Sequence, residues 1–117
     1  MKALTDFSYL YLYRGAVDFR KSINGLSAIV QTEMGLEFRP SSLFIFCNGR
    51  RSHMKILYYD KNGFCLWLKR LEGMRFPWPQ KADKNDALLI SLADMKLILD
   101  GINIWNRFKE VHFETVL

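Results

Sequence analysis

The sequence predicts an α+β fold: a single domain in which an antiparallel strand meander of about four to six strands carries two packed helices. Three observations predict it. The stretch from Leu43 to Trp78 holds three runs rich in aromatic and aliphatic residues, broken by turn chemistry at Asn48-Gly49 and Asp60-Lys61-Asn62-Gly63. Phe19, Ile23, Leu26, Ile29, Val30 and Met34 recur at helical spacing. Ser91 with Asp94 approximates a capping box, followed by Leu92, Met95, Ile98 and Leu99 on one helical face.

In chain order, Phe7 to Tyr13 reads as a first strand, aromatic-rich and closed by Arg14-Gly15. The first helix is expected to open near Asp18, whose carboxylate can cap free backbone N–H groups, and to end at Gly35. Gly25 weakens that helix, so a close backbone approach is expected there. Arg20 and Lys21 fall in its first turn, where the macrodipole disfavours cations, so a use or an acidic mate such as Asp18 or Glu72 is expected.

The meander follows. Its second turn suggests Tyr59 opposite Phe64, which places Lys55 opposite Leu68 and brings Lys69 and Arg70 to the segment holding Arg50, Arg51 and His53. In that register Cys47 and Cys65 lie too far apart for a disulfide and read as apolar thiols. Asn48-Gly49 and Gly63 are expected to supply the left-handed backbone of the two turns. Arg75 to Trp78 contains Pro77 and is an edge strand or none. Ala87 to Ile90 reads as a short strand before the second helix, which Gly101 ends. In the tail, Val111, Phe113 and Leu117 alternate with Glu110, His112 and Glu114, as in a half-buried strand; residues 1–6 and 106–117 are expected to be peripheral. Strands Leu43 to Cys47 and Phe64 to Leu68 are apolar on both faces, so cover from a homodimer or another partner is expected.

The net charge of the 117 residues is +5, and its placement matters more than its size. Residues 38–71 carry seven cations (Arg39, Arg50, Arg51, Lys55, Lys61, Lys69 and Arg70) against Asp60 alone, while the remainder carries ten against eleven acids. The excess therefore belongs to the meander, as in a phosphate-facing patch or a solubilising rim. No apolar run approaches the ~20 residues a membrane helix needs, and no leader pattern is present, so a cytoplasmic location is expected.

Signs of catalysis are sparse. There are two histidines and no CxxC, HExxH, GxSxG, Walker A or GxGxxG pattern, so no metal, cofactor or catalytic residue is expected. Asp94-Met95-Lys96 after Asp83 and Asp86 has a nuclease-like D-x-K spacing, but falls on a helix where metal nucleases use strands. Trp67, Tyr58 and Tyr59 could stack bases, although strand aromatics more often fill a core.

The segments GAVDFRKSINGLSAIV, LFIFCNGRRSHMKILYYDKNGFCLWLKRLE and RFPWP, in that order and spacing, resemble the TnpB accessory protein of IS-sixty-six-type insertion sequences, over roughly Tyr9 to Ile104. The family's G-x-x-D-x-R-K pattern falls on Gly15, Asp18, Arg20 and Lys21, and its G-L on Gly25 and Leu26. Its R-R and K-x-L fall on Arg50, Arg51, Lys55 and Leu57, its D-x-x-G on Asp60 and Gly63, and its K-R-L-E on Lys69, Arg70, Leu71 and Glu72. Met74, preceded by Gly73, stands where the family usually has glycine. The resemblance implies a bacterial, non-enzymatic role in transposition and DNA recombination of a mobile element, beside a DDE-type transposase and a second small accessory protein.

The expected nucleic-acid contacts are Arg50, Arg51, Lys55, Lys69 and Arg70, with Arg20 and Lys21 adjacent, on the element's end DNA, in a nucleoid-associated protein. The alternatives are a protein adaptor that docks on the transposase without touching DNA and, less favoured, a metal-dependent nuclease.

Overall fold

The computed structural model describes residues 3–79 and 87–105 and the backbone of 114–116. A six-stranded sheet forms the body: β1 (Tyr9–Val17), β2 (Ser42–Asn48), β3 (His53–Asp60), β4 (Gly63–Arg70), β5 (Ala87–Ile90) and β6 (Glu114–Val116). Its spatial order is β4-β3-β2-β1-β5-β6. Helix α1 (Ile23–Thr32) connects β1 to β2, and α2 (Leu92–Leu99) follows β5.

The meander β2-β3-β4 is antiparallel in the expected register, with Tyr59 opposite Phe64 and Lys55 opposite Leu68. The sheet as a whole is mixed, which corrects the all-antiparallel expectation: β1 and β2 run parallel, Leu10 beside Leu43 and Leu12 beside Ile45. A parallel pair cannot be closed by a hairpin, so the intervening chain must cross one face, and α1 is that crossover. The pairing slips between Leu12 and Ala16, where β1 carries extra residues. Gly15 sits in this bulge under the Tyr13 ring, and a Cβ there would lie 2.8 Å from ring atoms.

Side-chain alternation sorts the core into two clusters. On one face Leu10, Leu12, Leu43, Ile45, Cys47, Met54, Ile56, Leu88 and Ile90 pack with Phe76, Met95, Ile98 and Ile104. On the other, Tyr13, Val17, Phe44, Phe46 and Leu57 meet Leu26, Ile29 and Val30 of α1 and Met34 just beyond it. Both faces of β2 are therefore covered from within the chain, whereas Phe64 and Leu68 of β4 stay exposed.

Several element ends differ from the expectation. Helix α1 starts at Ile23 after Ser22, not at Asp18, because Asp18 turns its carboxylate onto Arg20 instead. Phe19 accordingly lies before the helix and is 56% exposed. At Gly25 the three atoms nearest to where a Cβ would sit belong to the aliphatic stem of Lys21, the closest at 3.2 Å. Gly35 does take left-handed φ after the helix, with the Leu36 N–H donating to the Val30 carbonyl. In both meander turns the left-handed residue is a cation, not the glycine: Arg51 with φ 61° and Lys61 with φ 49°. The Asn62 N–H closes the second turn on the Asp60 carbonyl.

Residues 74–79 form no strand; Phe76 enters the core and its N–H donates to the Arg51 carbonyl at 2.7 Å. Strand β5 and the Ser91 cap stand as expected, the Asp94 N–H donating to Ser91 Oγ at 3.1 Å. In the tail, β6 pairs antiparallel with β5, whereas Val111, Phe113 and Leu117 lie outside the described residues.

Two substitutions test this packing by urea denaturation. Phe46→Ala, at a fully buried site, is expected to lower stability by about 3–5 kcal/mol, and Ser91→Ala by about 1 kcal/mol through loss of the α2 cap.

Candidate nucleic-acid interface

Because β1 and β2 are parallel, their carboxyl ends, Val17 and Asn48, emerge side by side. In open sheets that contain such pairs, the loops leaving the carboxyl ends frame the usual ligand crevice. Here a cleft of about 590 Å³ lies at that place, lined by Val17–Arg20 from the β1–α1 connection and by Asn48, Gly49, Arg50, Ser52 and His53 from the β2–β3 loop.

One wall is organised by Asn48, a buried polar side chain. Its Oδ1 accepts the Ser52 and His53 N–H groups, each at 3.0 Å, and its Nδ2 donates to Ser52 Oγ at 3.0 Å. Ser52 Oγ lies 2.8 Å from His53 Nδ1. This network holds a four-residue loop whose Arg51 adopts left-handed φ, and it leaves Arg50 on the outside.

The opposite wall is held by Lys55. Its Nζ reaches from β3 to donate to the Phe19 and Lys21 carbonyls. Burial pushes the pKa of this ammonium down, with the nearby Asp18 charge acting in the other direction. Asp18 and Arg20 form a bidentate pair, at 2.7 Å for Nη2 to Oδ2, and the Arg20 N–H also donates to Asp18 Oδ1 at 2.8 Å. These hydrogen bonds hold the Asp18 carboxyl well below the usual carboxylate range and raise Arg20. The Phe19 ring stacks on His53 across the cleft, centroids 5.8 Å apart.

The seven cations expected to share one patch therefore separate. Arg20 and Arg50 meet at the cleft, Lys21 follows Arg20 in the chain with its stem against Gly25, and Lys55 lies behind, bound to backbone. Lys69 pairs with Met54 and so points to the other face, where its Nζ donates to the Leu99 carbonyl at 2.7 Å and caps the end of α2. Arg51 also turns to that face: its guanidinium lies 5.8 Å over the Trp78 ring, close enough to Cys47 to act on the thiol. Arg70 stands opposite His53 but is tied to Glu72 at 2.7 Å. The register is as the sequence suggests, and alternation nonetheless divides Lys55 from Lys69, whose positions opposite Leu68 and Met54 face opposite ways.

Among the described residues, Arg50 and Lys21 are the exposed members of the set with no side-chain ion pair. Asn48, Ser52, Phe19 and His53 were missed as site residues. Only the Asn-Gly turn signal marked that corner, and it says nothing of a side chain that folds back on its own loop.

The remaining candidates fall elsewhere. Cys47 is buried and Cys65 half-buried, both free; burial pushes the Cys47 thiol up to about 11 against the lowering effect of Arg51. Tyr58 is buried edge-on against Phe7, Tyr59 packs edge-on against Phe64, and Trp67 packs on the core. Asp94 lies in the first turn of α2, while Asp83 and Asp86 lie outside the described residues. Among the described residues, no three His, Cys, Asp or Glu side chains come together as a metal site would require, and no helix is long and apolar enough to cross a membrane.

Fold and site together define a small α+β domain with a βαβ start, a meander, and a largely apolar cleft rimmed by cations at the carboxyl ends of its parallel pair. The chain belongs to the family described as IS66 Orf2 like protein, whose model matches residues 8–109; these are accessory proteins of insertion sequences. It is similar to protein y4hO of Sinorhizobium fredii (strain NBRC 101917 / NGR234), 32% identical over 101 residues covering 86% of this chain and 85% of that one, described as uncharacterized. Protein y4jC of the same strain, also described as uncharacterized, is 32% identical over 93 residues, covering 80% and 77%. No solved structure matches the chain.

One buried group near the core gives a pH signature. Tyr13 donates its hydroxyl to Glu33 at the end of α1; burial first, and then this carboxylate, raise its pKa far above 10.0. Above pH 10 the unfolded chain loses this proton while the folded chain keeps it, so the unfolded state binds fewer protons and stability falls with rising pH. Denaturation series from pH 9 to 11 are expected to show a steeper decline for the wild type than for Tyr13→Phe, by at most about 1.4 kcal/mol per pH unit.

Proposed function

We propose that this protein is a non-catalytic accessory factor of transposition that contacts nucleic-acid phosphates at the cleft through Arg50 and Lys21, with Arg20 as a third, Asp18-oriented contact. The observation that supports this reading is the crevice at the carboxyl ends of β1 and β2, whose lining includes Arg50, exposed and outside every side-chain ion pair among the described residues. The exposed Lys21 is next in the chain after the lining residue Arg20. Arginine and lysine in such places position a backbone and do not read its sequence. Lys55 and Lys69 act inside the fold, as ties to the β1–α1 connection and to α2, and Arg51 packs on Trp78. The DNA of the element's ends is the ligand that the family membership favours.

The footprint is small. Two to three neutralised phosphates give a log–log salt slope of about −2 to −3, where a seven-cation patch would give about −6. In a gel-shift titration with end DNA, Arg50→Ala/Lys21→Ala is expected to flatten that slope by about 2. Lys69→Ala is expected to leave the slope unchanged while lowering stability by about 1–2 kcal/mol. No binding at low salt, or a slope untouched by the double substitution, overturns the reading.

A second reading is favoured by the same small footprint and by the exposed Phe19 ring at the cleft rim: an adaptor that docks on the DDE-type transposase or on the second accessory protein. Co-purification with the transposase that survives Arg50→Ala/Lys21→Ala and is lost in Phe19→Ala would favour the adaptor.

A further inference from the structure

We propose that β4 pairs with the β4 of a second copy of this chain, antiparallel and centred on Leu66, so that two sheets become one. This goes beyond the phosphate contact and stands independently of it.

Strand β4 is the outer strand at one edge of the sheet. Natural edges are usually blunted by shortness, a bulge, a proline or an inward charge. Here the edge is eight residues long and pairs without a register shift from His53–Arg70 to Asp60–Gly63. It has no proline, and its charges, Arg70 and the inward Lys69, are confined to its last two residues, leaving Gly63 to Leu68 uncharged. Phe64 is 37% exposed and Leu68 53% exposed, on one face of this strand. Both broad faces of the sheet are already covered by α1 and by α2 with residues near Phe76, so the apolar surface left on the meander lies along this edge.

Backbone geometry and side chains agree on the partner. A two-residue loop closes on a hydrogen-bonded pair, here Asp60 and Gly63, so odd-numbered residues of β4 direct their N–H and C=O groups at β3. Phe64, Leu66, Leu68 and Arg70 then direct theirs outward, in the alternation that an added antiparallel strand requires. A two-fold axis at Leu66 sets Phe64 opposite Leu68 of the second copy, twice, and Leu66 opposite itself, giving one apolar stripe. On the other face Cys65 meets Trp67. Lys69 comes opposite Gly63, and Arg70 opposite Asn62, so like charges do not face each other within the ladder. Centring on Trp67 would instead set Phe64 against Arg70 and Cys65 against Lys69.

The test is sedimentation equilibrium of the full chain, with circular dichroism as the check on folding. Wild type is expected at twice 13.8 kDa. Leu68→Glu and Phe64→Lys, each at an exposed position, are expected to weaken the dimer by about tenfold or more while remaining folded. The combined Phe64→Lys/Leu68→Glu chain sets the new ammonium of each copy opposite the new carboxylate of the other, at both ends of the stripe, and is expected to recover dimerisation. A monomeric wild type overturns the proposal, as does a Leu68→Glu chain that dimerises like wild type. A combined variant no tighter than the single ones overturns the Leu66-centred register. DNA-binding variants at Arg50 and Lys21 are expected to leave the mass unchanged, so failure here and failure of the phosphate reading are separately visible.

Discussion

Every side chain of β2 is buried, on both faces, and the rest of the molecule is arranged around that constraint. A strand with no solvent face needs a strand on each side and a layer above and below. Strands β1 and β3 supply the sides. One layer is α1 and the other combines α2, Phe76 and Ile104. Since β1 runs parallel to β2, the chain between them has to span the sheet, and this single requirement fixes α1 over one face. It also sets two strand ends together, and the cleft exists because their loops diverge there.

The loops are then held by a division of labour among polar groups. Asn48 satisfies the backbone of its own hairpin, and Lys55 satisfies carbonyls of the opposing connection, so each cleft wall is tied by a side chain of its own. A buried amide or a half-buried ammonium without such partners would destabilise the fold. Each instead finds backbone groups that no strand or helix uses. The exposed ion pairs, Arg20 with Asp18 and Arg70 with Glu72, add little stability but determine which cations are left without a mate at the surface.

The same frame makes sense of the two kinds of surface. Around the cleft, the charged groups of Arg20 and Arg50 stand at the surface beside one exposed ring, Phe19. At the far edge of the meander the outward surface is apolar and its backbone groups have no strand partner among the described residues. Strand β2 is protected by its neighbours; β4 has a neighbour on one side alone.

The order of the runs, the turn positions and the cross-strand register of β3 and β4 were determined locally: Asp60 to Gly63 closes the hairpin, and counting from it places Lys55 against Leu68. The Ser91 cap and the left-handed Gly35 and Gly101 were equally local. What the tertiary structure decided was direction and side. Nothing in the spacing of apolar residues distinguishes a parallel from an antiparallel neighbour for β1, because both bury the same alternating faces. Nor does the linear clustering of Lys55, Lys69 and Arg51 tell where their charges go. Side-chain alternation sends Lys55 and Lys69 through opposite faces, and the fold brings a carbonyl or an indole ring to each of the three from segments far apart in the chain, whereas the Asp18 mate of Arg20 lies two residues away and is local.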